Sequence, residues 1–296
     1  MEPRRSGTRQ SDDDRDLGRY ERLSELPVYD SASRPASFVE EIVEAVKYRH
    51  LIWAFIKRDI VTRYKRSVLG VIWTMLNPLG TMLIMMVVFY QLFHQTTPKY
   101  PIFVLSGLIV WNFFSQTTLA APQTLLWSGP LIHRVYMPRT VFAITATGVG
   151  VINFVLSLVP VALLMVVLRI WPSPVLLAVP FAMLLLAAFA LGLGLLISSV
   201  VVFFPDILDI YQILLVAWMY VSAVFYPYEI IPIAYRWWFF NLNPMYHLML
   251  VFRDPLYYGN WPSLGHVATA TVVALSMLLV GWYAFARRSD ELAYRI

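Results

Sequence analysis

The chain of 296 residues contains no cysteine. That absence excludes a disulfide framework, a thiolate zinc site and a cysteine-ligated iron–sulfur cluster. Charge is also scarce: Asp, Glu, Lys and Arg make up 14% of the sequence, against roughly a quarter in ordinary soluble domains. Between Ser67 and Ala286 the acids are Asp206, Asp209, Glu229 and Asp254, and the bases are Lys99, Arg134, Arg139, Arg169, Arg236 and Arg253. What remains is apolar, with 59% hydrophobic residues and a mean hydropathy of +0.63. Several uncharged runs exceed the roughly 20 residues that a helix needs to cross a bilayer. They are apolar on every side rather than in alternation, which excludes a transmembrane β-barrel. The expected class is an all-α integral membrane protein.

Charge returns at the ends of the chain. Residues 1–36 mix seven arginines with eight acids and hold no apolar run resembling a secretory signal. They read as a disordered cytoplasmic tail. From Ser37, with Glu40 three residues on as a capping box, apolar residues recur at Val39, Ile42, Val43, Val46, Trp53, Ile56 and Ile60. Glu40, Glu41, Glu44, Lys47, Arg49, Lys57 and Arg58 take the other positions, so residues 37–66 read as an amphipathic interface helix lying on the inner membrane surface.

Residues 67–296 then divide into six expected transmembrane helices, at about 68–93, 100–121, 141–168, 175–203, 209–226 and 264–286. With both termini cytoplasmic, Lys57, Arg58, Arg63, Lys65, Arg66, Arg134, Arg139, Arg287, Arg288 and Arg295 fall inside. Only Lys99, Arg169, Arg236 and Arg253 fall outside, as the positive-inside rule requires. The same rule accounts for the formal charge of +5 without a nucleic-acid partner. The segment 227–263 is rich in aromatics yet broken by Pro227, Pro232, Pro244, Pro255 and Pro262, a pattern expected of two short re-entrant helices before the last span. In the fourth span, Ala188, Ala190, Gly192, Gly194 and Ser198 predict close helix packing.

Residues that would mark a proton-driven pump, an ATPase or an enzyme are scarce. The first four spans hold no ionisable residue for a proton relay. None of the four lysines, Lys47, Lys57, Lys65 and Lys99, stands in a phosphate-binding loop, so any ATP that drives this chain is bound by another. No catalytic, metal or cofactor site is expected here. A membrane-embedded transferase acting on lipid-linked sugars would have to use Asp206 and Asp209, whose i, i+3 spacing is equally that of acids stabilising a helix N-terminus.

The stretch DIVTRYKRSVLGVIW from Asp59 to Trp73, followed by Asn77, Pro78 and Leu79, resembles the entry to the first span in permease subunits of type-2 ABC exporters of cell-surface polysaccharide. That family exports O-antigen, capsule, teichoic acid and galactan. The resemblance continues at SGLIVWNFF (Ser106 to Phe114), at LIHRVYMPR (Leu131 to Arg139), at Asn243 and Pro244, and at Phe252 and Arg253. The chain departs from the pattern at Pro205, where many members carry arginine, and at Ser222 and Ala223, where Ser-Pro is frequent.

The resemblance implies a homodimer of permease chains in the bacterial plasma membrane, docked on two ABC ATPase subunits that carry ATP and magnesium. Its cargo would be a lipid-linked polysaccharide; an exporter of drugs or small lipids is the neighbouring alternative. A coupling loop would occupy residues 122–139, with Trp127, Leu131, Ile132, Arg134 and Tyr136 facing the ATPase. Arg58, Arg63 and Arg66 would offer bidentate donors to phosphate at the inner leaflet. Tyr90, Phe93, Trp111, Phe114, Trp218, Tyr220 and Tyr226 are the aromatics expected along a sugar passage.

Overall fold

The computed structural model describes residues 37–65, 70, 72–93, 99–128, 137–171 and 173–295; the side chains of 37–40, 64, 89–93 and 289–295 lie outside that description. Every regular element among the described residues is helical. Two helices, α1 (Ser37–Lys47) and α2 (Arg49–Lys65), precede α3 (Ile72–Phe93), α4 (Tyr100–Trp127) and α5 (Thr140–Val167). After a 3-10 turn at Pro174–Leu177 come α6 (Ala178–Val201), α7 (Ile207–Val221), α8 (Ile233–Arg236), α9 (Pro244–Arg253) and α10 (Leu264–Arg295).

Four segments are long and apolar enough to cross a membrane: Tyr100–Trp127, Thr140–Val167, Pro174–Val201 and Leu264–Arg288. Two further apolar helical stretches, Ile72–Val88 and Ile207–Val221, are shorter. At 1.5 Å per residue, the 15 residues of α7 rise only ~22 Å, short of a hydrocarbon core of about 30 Å.

The bundle is built around α4. Nearly every residue of α4 from Tyr100 to Phe114 is buried, under α5, α6 and α9. The surrounding helices turn apolar side chains outward instead, such as Ile84 on α3, Leu163 on α5, Ile213 on α7 and Leu279 on α10. In water such faces would be a liability, whereas lipid tails solvate them. The stripe of small residues on α6 packs as its spacing predicts. A Cβ on Gly281 of α10 would fall onto the carbonyl oxygen of Gly192, and one on Gly192 would strike the backbone of Met277 and Leu278. Two backbones thus touch with no side chain between them.

The region predicted as one interface helix is two, separated at Tyr48. Only α1 segregates its apolar residues to one face; α2 mixes basic and apolar residues all round, so Trp53 and Val61 are exposed while Ile56 is buried. Leu51 and Phe55 pack into a small core with Phe142, Leu195 and Phe285, and the Phe55 and Phe142 rings stack. Glu41 is buried and accepts a hydrogen bond from Thr140 Oγ1 (2.7 Å) at the start of α5. The α1–α2 pair therefore caps one end of the bundle, and α8 and α9 occupy the other.

The aromatic segment before α10 is irregular, as its prolines predict. It contains a 3-10 turn at Tyr228–Ile230, α8 running into a π turn at Trp237–Asn241, and α9 running into a π turn that ends at Gly259 in the left-handed region.

The α6–α10 crossing yields a direct test. Gly281→Leu is expected to lower stability by about 3 kcal/mol, the upper end of the common overpacking range. Gly80→Ala, at a position with nothing within 4 Å of the added carbon, is expected to melt at or slightly above wild type. Thermal melting of the purified chain in detergent checks both.

Candidate functional site

Three of the sequence motifs, Ser106 to Phe114, Asn243 with Pro244, and Phe252 with Arg253, meet at the α9 end of the bundle. The fifth apolar helix stops earlier than expected because Ser222 ends α7 and Ala223 takes a left-handed conformation, φ +52°. That conformation is rare for a residue with a side chain, and proline, with φ fixed near −65°, could not adopt it. The turn that follows α7 is held by Arg253, which is 2% exposed. Its Nη1 donates to the Ala223 carbonyl (3.2 Å) and its Nη2 to the Val224 carbonyl (3.1 Å). The guanidinium lies 3.8 Å from the centroid of the Phe103 ring, a cation–π contact. Burial lowers its pKa to about 10, which leaves it charged at neutral pH. Gly107 is required beneath it, since a Cβ there would strike Arg253 Nη2 and the Val224 carbonyl.

Asn243 ties the same junction from the other side. It caps α9 by accepting from the Met245 N–H (3.1 Å), with Pro244 at the first helical position. Its Oδ1 also accepts from Trp218 Nε1 (2.9 Å), and its Nδ2 donates to Ser222 Oγ (3.0 Å). Trp218 in turn meets Trp111 and Phe114 edge to face, and Phe114 stacks on Phe189. The Tyr100 hydroxyl adds a bond to the Phe225 carbonyl (2.7 Å). Nearby, burial raises the Asp254 carboxyl to about 6, against a hydrogen bond to the Ser263 backbone and the positive charge of Arg253. Burial also pushes His247 down, and its Nδ1 lies 2.9 Å from Nδ1 of His266.

The predicted passage aromatics do not form one surface. Trp111 and Phe114 are buried inside the chain and Trp218 is half-buried against them. Tyr220 is exposed, and the half-buried Tyr226 donates its hydroxyl to the Tyr220 carbonyl. The side chains of Tyr90 and Phe93 lie outside the described residues. So do Leu131, Ile132, Arg134 and Tyr136 of the expected coupling loop, and Arg66. Trp127, at the end of α4, is 80% exposed. Arg58 pairs with Asp59 (2.9 Å) and covers Phe55, while Arg63 is exposed. Asp206 and Asp209 are both exposed at the start of α7, as acids at a helix N-terminus would be.

A feature that charge counting missed lies between α3, α4 and α5. A cavity of about 300 Å³, open on one side, is lined by Arg63, Asn77, Asn112, Gln116, Thr117 and Asn153 among aromatic and aliphatic side chains. The signal available in the sequence was the uncharged amides inside otherwise apolar runs.

A family model for the ABC-2 type transporter matches residues 50–257. The chain belongs to the ABC-2 type transporter family. It is 28% identical over 254 residues to an O-antigen export system permease protein of Myxococcus xanthus, covering 86% of this chain and 98% of that protein. It is 27% identical over 235 residues to a polysialic acid transport protein of Escherichia coli, covering 75% and 88%. A capsule polysaccharide export inner-membrane protein of Neisseria meningitidis is 25% identical over 262 residues, covering 86% and 95%. In this ABC-2 chain the Arg253 and Asn243 contacts lie within the matched region, so three of the motifs that carried the resemblance also fold its α9 end.

Removing the guanidinium leaves two carbonyls without donors in apolar surroundings. Arg253→Met is expected to destabilise the chain by about 3 kcal/mol. Gly107→Ala displaces the same guanidinium, so the double variant should lose less than the sum of the two single losses. Denaturation of the three variants in detergent measures the coupling.

Proposed function

We propose that this chain is the channel-forming permease subunit of an ATP-driven exporter, and that it moves a lipid-linked polysaccharide across the bacterial plasma membrane. The observation that carries this reading is similarity over nearly the full length of relatives whose names share one cargo class, a polysaccharide exported through the inner membrane. The low charge and the outward apolar faces suit a chain solvated by lipid.

Both termini lie in the cytoplasm in this reading. The shorter α3 and α7 cross the membrane with the four long segments, giving six spans. The segment 227–263 dips into the outer leaflet as two re-entrant helices. Two copies of the chain pair and dock on two ATPase subunits, which hold ATP and magnesium. The coupling surface is residues 122–139. Its two flanks support that assignment: Trp127 projects from the end of α4, and the Glu41–Thr140 bond fixes the start of α5 to α1. A tryptophan standing clear of its own chain suits a soluble partner. Arg58, Arg63 and Arg66 draw lipid phosphate to the same end. Tyr220 and Tyr226 form passage surface, backed by the rigid cluster of Trp111, Phe114 and Trp218.

Depletion of the chain in its native cells tests the cargo. Lipid-linked polymer is expected to accumulate on the inner face while surface polymer disappears. Unchanged surface polymer with a new sensitivity to small lipophilic compounds would replace this reading with a drug or small-lipid exporter. Replacing Leu131, Ile132 and Arg134 together by alanine is expected to abolish co-purification of the ATPase while leaving the chain in the membrane. An ATPase that still co-elutes with that variant would move the coupling surface elsewhere.

A further inference from the structure

The cavity between α3, α4 and α5 has a property that helix packing alone does not produce. It is polar within the apolar part of the bundle. Asn112 lies 12 residues into α4 and Asn153 13 residues into α5, so each is ~18–20 Å along its helix. Polar side chains at such depth are expensive and face partners or water-filled space. Thr117 also lines the cavity, but its Oγ1 is fully covered and packs where a Cβ on Gly150 of α5 would sit. The polar groups offered to the space include Arg63 and the amides of Asn77, Asn112, Gln116 and Asn153.

The lining has a definite chemical preference. Arg63 is the one charged residue among the described residues that line it, and they include no carboxylate. The amide side chains supply both donors and acceptors. Trp73, half exposed at the start of α3, offers a flat ring on the open side. A cavity of about 300 Å³ is at the small end of ligand sites, which run from about 300 to 1,000 Å³. It therefore fits one headgroup and not a polymer chain.

We infer that this cavity binds the headgroup of a lipid that carries phosphate and several hydroxyls. Arg63 meets the phosphate, the Asn112, Gln116 and Asn153 side chains meet the hydroxyls, and the lipid tails leave through the open side. Two lipids offer that chemistry: the lipid-linked glycan, whose relevance rests on the exporter reading above, and membrane phosphatidylinositol.

Native mass spectrometry of the full chain in phosphatidylcholine nanodiscs separates them. Three probes are supplied in turn: a polyprenyl-diphosphate-linked disaccharide, phosphatidylinositol, and inorganic pyrophosphate. The double variant Asn112→Leu, Gln116→Leu is expected to weaken lipid retention roughly tenfold or more, the loss for one or two neutral hydrogen bonds. Arg63→Met is expected to weaken it further, and Thr271→Val, on α10 outside the cavity, to leave it unchanged. A loss confined to the disaccharide lipid identifies the glycan as occupant, and an equal loss for phosphatidylinositol identifies the bulk lipid. Lipid retention that no cavity variant changes, or pyrophosphate held as tightly as either lipid, overturns the inference. Thermal melting of the same variants separates binding from folding: retention lost at an unchanged melting point reports binding. Cells depleted of the chain decide the exporter reading separately: intact export there removes the glycan as a source while the phosphatidylinositol result still tests the cavity.

Discussion

A guanidinium buried in an apolar bundle is tolerated only where its donors are met, and Arg253 meets the carbonyls of Ala223 and Val224 in the turn that follows α7. Much of the α9 end follows from that contact. It lets α7 stop at Ser222 and lets Ala223 hold a left-handed backbone that would otherwise be strained. It forces glycine at 107, because α4 must pass directly beneath the charge. It also sets the height at which Trp218 reaches both Asn243 and the Trp111 and Phe114 rings. A cluster of residues distant in sequence is thus held by charge, amide and ring contacts rather than by apolar burial alone.

The opposite end is organised by a carboxylate. Glu41 bonds to Thr140 where α5 begins, and α5 continues unbroken past Gly150 and Asn153, which wall the cavity. Its one internal proline, Pro160, comes only after those positions. The interface helices and the cavity are therefore joined by a single straight stretch of helix. Phe55 on Phe142 and Ile56 against Gly148 reinforce that stretch from α2.

Much of the architecture was legible because lipid imposes simple rules. Apolar runs marked the helices, prolines marked the broken segment, and glycines on the fourth run marked a close crossing. What periodicity hid was direction. Trp111, Phe114 and Trp218 are the same residue types whether they face a passage, a lipid or one another, and only the fold turns them inward. Arg253 counted in the sequence as one of four outer charges, because a charge tally does not register burial. The cavity escaped notice for a related reason: a search for ionisable groups passes over Asn112, Thr117 and Asn153. The division at Tyr48 had no strong local marker, since neither glycine nor proline stands there.

The α6–α10 crossing bears on how such a chain could change shape. Where backbone touches backbone at Gly192 and Gly281, no side chain can switch rotamer to absorb a shift. That pair behaves as a fixed mast. By contrast α3 and α7 present broad outward faces, with Ile84, Val87, Ile213 and Val216 exposed and nothing among the described residues interlocked against them. Any widening needed to admit a bulky cargo is mechanically cheapest on that flank, so α3 and α7 are the compliant wall and the glycine-paired helices the hinge post.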